Sequence, residues 1–127
     1  MNLYWKSEKT IKLTLTENQA RIVGRACEFY ARVRVGQFDE LSYSFLQGSV
    51  NDGYYERKQQ ADALLLEARK IIFPELQEDD LPYGVGTFED ADLSYDIYQV
   101  ILHAVGGKTP FRCGELPICE VENKPSR

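Results

Sequence analysis

Residues 15–38 read LTENQARIVGRACEFYARVRVGQF. Thr16 followed by Gln19 is a capping-box pattern, in which two side chains satisfy backbone amides at a helix start. Glu17 then opens a helix expected to run to about Val35. Ala20, Val23, Ala26, Cys27 and Tyr30 recur at helical spacing on one face. Gly36 is well placed as the stop, since glycine accepts the left-handed turn that ends many helices. Gly24 sits mid-helix, where it costs roughly 1 kcal/mol relative to alanine. Either a partner helix or ligand approaches closely there, or the chain merely tolerates it; the sequence leaves both readings open.

Working outward, Lys12 to Thr16 alternates apolar and polar residues and reads as a short half-buried strand. Phe38 to Leu46 has a shorter helical pattern, and Gln47 to Gly53 is a turn-rich loop. Tyr54 to Phe73 is the clearest helix, with Ala61, Leu64, Leu65, Ala68 and Ile72 as one stripe and Pro74 at its end. An acidic loop from Glu75 to Gly86 follows. Thr87 reads as the N-cap of a last helix, with Glu89, Asp90 and Asp92 where the macrodipole favours them. Leu93, Ile97, Val100, Ile101 and Ala104 form its stripe, and Gly106-Gly107 ends it. Pro110 to Val121 suits a C-terminal strand.

The expectation is an α+β fold: a mainly helical small domain with short N- and C-terminal strands, forming dimers. An isolated two-stranded sheet is marginal, so the strands would pair with each other or across a second copy. A length of 127 residues fits one domain, residues 1–127.

A net charge of −5 argues against binding duplex DNA or RNA, which needs an extended basic surface. No apolar run has transmembrane length, and Met1 to Lys6 lacks the pattern of a secretory signal. Cys27, Cys113 and Cys119 are odd in number and widely spaced, which argues against a disulfide framework and for a reducing cytoplasm.

Charge is segregated within this acidic chain. Arg21, Arg25, Arg32 and Arg34 crowd one segment against Glu28, and Arg21, Arg25, Glu28 and Arg32 share a helical face. Arginine is a fork-shaped donor suited to phosphates and carboxylates. A charged interface or solvated face explains the stripe more readily than a ligand site. Glu89, Asp92 and Asp96 stand at i, i+3 and i+7, a spacing that can hold Mg²⁺ when a second acidic helix faces it. The helix from Tyr54 offers only Glu56, Asp62 and Glu67, so capping and solvation are the simpler account. Cys113, Cys119 and His103 match no zinc spacing, so no metal is expected. No nucleophile motif and no phosphate-cradling glycine loop is found, and no cofactor is implied. Tyr83 to Phe88 places two aromatics in a loop leading into a helix. Rings beside arginines suit a base plus a pyrophosphate. Arg57 and Arg112 each stand beside aromatic residues.

The run Leu15 to Arg21, then Tyr30 to Phe38, then Asp96-Ile97-Tyr98 resembles small phage proteins of the Thoeris anti-defence family, the first-described type. The likeness spans most of the chain, and Arg-x-Gly-Gln-Phe is its distinctive element. The resemblance implies a sponge that binds a cyclic ADP-ribose signal and withholds it from a bacterial immune effector without cleaving it. It implies no catalysis, a cytoplasmic location in an infected host, and a homodimer or a hexamer of dimers. By the same resemblance, rings and arginines hold the ligand at subunit interfaces: Arg57, Phe88 and Arg112, with Tyr83 and Asp96 as further candidates. Arg21 and Arg25 are candidates for a second anion site that takes cyclic oligonucleotides. Two rival readings remain at this point. One is a Mg²⁺-dependent nucleotide pyrophosphohydrolase using Glu89, Asp92 and Asp96. The other is a protein-binding inhibitor whose acidic 75–96 region attracts a basic partner.

Overall fold

The capping box forms as the sequence anticipates. In a computed structural model, which describes residues 9–106, the Gln19 amide donates to the Thr16 hydroxyl at 3.2 Å. The Thr16 amide donates back to the Gln19 side chain at 3.0 Å. Helix α1 spans Glu17–Arg34. It ends in a Schellman turn: the Gln37 amide reaches the Arg32 carbonyl and the Gly36 amide the Val33 carbonyl, both at 3.0 Å. Gly36 takes the required positive φ of 100°. A Cβ there would also press on Leu76 at 3.4 Å.

The chain then folds back along α1 as α2 (Glu40–Phe45), which sets the Phe45 ring edge-on to Phe29 at 5.4 Å. A 3-10 turn at Val50–Asp52 leads into α3 (Tyr54–Ile72). The last helix, α4 (Glu89–Gly106), begins two residues beyond Thr87. Among the described residues no helix is long and apolar enough to cross a membrane.

Helix is the only regular secondary structure among the described residues, which corrects the α+β expectation. Lys12 to Thr16 forms no strand. Ile11 is 93% and Leu13 73% exposed, so the alternating segment has no sheet and no core to rest on. A strand exists only through a neighbour's backbone, and alternation alone does not supply one. The expected C-terminal strand, Pro110 to Val121, lies outside the described residues.

The architecture rests on α1 against α4, which run antiparallel. Along the pair, Arg21 reaches the Val105 carbonyl at 3.3 Å, the Ser94 hydroxyl donates to the Cys27 carbonyl at 2.7 Å, and Arg34 meets Asp90 at 2.9 Å. The packed face of α1 is Ala20, Gly24 and Ala31, met by Ala91 and Ile101 of α4. This differs from the expected stripe, because Ala26 and Tyr30 are exposed. Small residues allow backbones to approach; the expected stripe held Ala20 but neither Gly24 nor Ala31. Gly24 answers its own question: a Cβ there would stand 3.2 Å from the Ile101 side chain, so the close neighbour is a helix.

Around this pair burial is thin. No residue of α3 is buried, although its stripe was the clearest in the sequence. Leu64, Ile71 and Ile72 are exposed. A helix with an open apolar face is completed by a partner, in its own chain or another.

Replacing Gly24 by valine should destabilise the fold by about 1–3 kcal/mol, since the added atoms overpack a closed helix contact. Urea unfolding measures this, and a compensating Ile101→Ala should recover part of the loss. Equal losses in the single and double variants would show that the two side chains are not in contact.

Candidate functional site

The face of α1 opposite α4 carries a second apolar row: Ile22, Ala26, Phe29 and Val33 at helical spacing. It lines an open trough of about 1370 Å³. Tyr43 and Phe45 of α2 form the other wall. Arg25, Arg32, Arg34 and Lys58 also border the trough, with Glu28, Asp39 and Glu40 among them. Small-molecule pockets usually measure about 300–1,000 Å³. This trough is larger and, among the described residues, open to solvent.

Ion pairing decides which of these cations is available. Arg32 donates twice to Glu28, at 3.1 and 3.2 Å, within one turn of α1. Lys58 lies 2.6 Å from Asp62, which also accepts from Ser42 and so pins α2 to α3. Burial pushes Asp62 up, but its hydrogen bonds from Lys58 and Ser42 prevail and hold it below its ordinary value. Arg25 is exposed and has no ion-pair partner among the described residues.

At one end of the trough stands a latch. Asp90, in the first turn of α4, accepts from Arg34 Nε at 2.9 Å and from the Tyr30 hydroxyl at 2.8 Å. The Arg34 guanidinium carbon lies 3.9 Å from the Phe88 ring centroid, a cation–π contact worth about 0.5–2 kcal/mol. Tyr83 meets Phe88 edge-on at 5.3 Å, and Phe73 abuts both rings. The Tyr83 amide donates to the Val35 carbonyl at 2.8 Å and fastens this loop to the end of α1. Burial raises Asp90, but the bonds from Tyr30 and Arg34 prevail and hold it below its ordinary value.

The sequence candidates therefore divide. Tyr83 and Phe88 do come together, but around Arg34 and Phe73 rather than facing open solvent. Arg57 is elsewhere: it donates to the Gln47 carbonyl at 2.8 Å and lies 3.4 Å from Asp52, holding the loop before α3. Asp96 is fully buried, so a ribose hydroxyl would reach it only if the surrounding structure parted. Arg21 is paired with Glu17 at 2.8 Å and with the α4 terminus. Arg25 alone of the two second-site arginines borders the trough. Arg112 lies outside the described residues.

Sequence reading gave no site role to Phe29, Tyr43, Phe45 or Lys58; it placed Tyr30 in the core stripe, Asp90 among the helix-start charges and Arg34 in the arginine cluster without a partner. A signal was present: Ile22, Phe29 and Val33 recur opposite Gly24. The metal arrangement of the hydrolase reading does not form. The Asp92 carboxylate takes the Gly86 amide at 2.9 Å, and no three His, Cys, Asp or Glu side chains converge for a cation among the described residues.

The latch gives a pH dependence. A carboxyl depressed by folding stabilises fully above its unfolded pKa of about 3.9, and that contribution fades as pH falls through the lower folded value. Asp90→Asn should lower the melting temperature at neutral pH. It should also flatten the decline in melting temperature between about pH 5 and pH 2. An unchanged acid limb in this variant would remove Asp90 from the account.

No protein-family model, curated protein or solved structure matches this chain.

Proposed function

We propose that this protein sequesters a small nucleotide signal of the cyclic ADP-ribose class, holding it chemically unchanged in the trough beside α1. The reading takes its ligand class from the resemblance to phage anti-defence sponges. One observation carries it: Arg25, a guanidinium with no ion-pair partner among the described residues, borders an aromatic-walled trough with Phe29, Tyr43 and Phe45. A phosphate needs the first and a base needs the second. Arg34, steadied by Phe88 and Asp90, stands at the far end as a further donor. The unroofed walls call for a second copy to complete the enclosure, as a homodimer or a hexamer of dimers. The proposed setting is the cytoplasm of an infected bacterium, where a withheld signal no longer reaches its effector.

Incubation with cyclic ADP-ribose isomers, washing, heat denaturation and mass spectrometry provide the test. Intact ligand should be released in near-stoichiometric amount; recovery of a cleaved product would end the sponge reading. Arg25→Ala should weaken binding about 10–100-fold, corresponding to the roughly 1.5–3 kcal/mol of a hydrogen bond to a charged group. Its helix content should not change, because Arg25 is exposed.

A further inference from the structure

Three carboxylates border the trough, and they differ in what answers them. Glu28 is engaged by Arg32. Asp39 is exposed, so water solvates it. Glu40 has neither answer. It is 7% exposed, and no cationic side chain among the described residues lies within ion-pair distance of it. Arg32 feels its charge through space but donates to Glu28 instead. Two neutral donors hold the Glu40 carboxylate: Gln37 Nε2 donates to Oε2 at 3.1 Å, and Ser44 Oγ donates to Oε1 at 3.0 Å. Each oxygen thus has one such partner, whereas a carboxylate offers about four acceptor positions. A buried charge is costly until such positions are filled, so Glu40 favours a further N–H donor.

We infer that Glu40 reads the base of the sequestered nucleotide: it accepts from the exocyclic amino group of a purine, and the trough therefore selects amino purines over those with a carbonyl at that position. This rests on the nucleotide-sequestering reading above and adds its specificity. Placement in the fold divides the work. Glu40 and Tyr43 are three residues apart and share a face of α2. Tyr43 is 76% exposed. The α2 wall thus offers a ring on which a base can stack and, one turn earlier, a carboxylate for the donor of that base. Arg25 belongs to α1, the facing wall, so base and phosphate are taken by different elements.

The chemistry discriminates between the two kinds of base. A carboxylate has no hydrogen to give. An amino group opposite it forms a bond, while a carbonyl oxygen meets it lone pair to lone pair. A site built around a buried polar group rejects a ligand that leaves the group unanswered more strongly than an apolar pocket rejects a wrong shape. The bonds from Gln37 and Ser44 fix the carboxylate before a ligand arrives, so little ordering is left to the moment of binding.

Calorimetric titration of the full chain tests it, with cyclic ADP-ribose isomers each paired with the hypoxanthine counterpart, in which a carbonyl oxygen replaces the exocyclic nitrogen. The wild type should bind the amino form at least about 10-fold more tightly. Glu40→Gln keeps the shape and can still bond Gln37 and Ser44, so its helix content should not change. Its amide can also donate to a carbonyl, so the preference should shrink at least about 10-fold. If Glu40→Gln does not fold, Glu40→Asp makes the same comparison, since it withdraws the charge by one methylene, and it should shrink the preference too. Equal wild-type affinities for the two forms would overturn the specificity and leave sequestration standing. Equal weakening of both forms in the variant would show that Glu40 only supports α2, and would also overturn it. A wild type that binds neither form would remove the nucleotide site and its specificity together.

Discussion

A missing methyl group organises this protein. Because Gly24 has no side chain, Ile101 sits against the α1 backbone and α1 and α4 lock together antiparallel. That approach sets the register in which the Ser94 hydroxyl finds the Cys27 carbonyl and Asp90 finds both Tyr30 and Arg34. It also decides which side of α1 is consumed. With α4 seated on the row of small residues, Ile22, Phe29 and Val33 are left facing the trough. The proposed binding surface is thus the face that remains after the fold has used the other.

Electrostatics within that surface follow from local pairing more than from net charge. Two of the four arginines in α1 are answered by a glutamate four residues earlier, the favoured orientation for helical ion pairs. Arg34 is answered across the helix pair by Asp90. What remains is Arg25, which has no ion-pair partner among the described residues of a chain that is acidic overall. A local field of this kind can select a single anion where an extended basic surface would attract nucleic acid.

The thin core bears on assembly. Ala20, Ala31, Ala91 and Ile101 are the buried apolar residues among those described, and three of them are alanines. The α3 stripe and the aliphatic pair Ile11 and Leu13 have the composition of core without its cover. The alternation from Lys12 to Thr16 forms no strand among the described residues, since a two-residue period makes a sheet only where a neighbouring backbone supplies the hydrogen bonds.

The sequence by itself determined the local events: the Thr16–Gln19 box, the Gly36 stop, and the extents of α1 and α3 to within a residue or two. Each depends on neighbours a few positions away, and residue type alone encodes it. Only the tertiary structure decided which face of α1 is core, that Tyr83 and Phe88 serve Arg34, that Asp96 is enclosed, and that Arg25 has no ion-pair partner among the described residues. Those outcomes depend on residues tens of positions apart, brought together because two backbones can approach at a glycine. A pattern that counts large apolar side chains assigns such a position no weight.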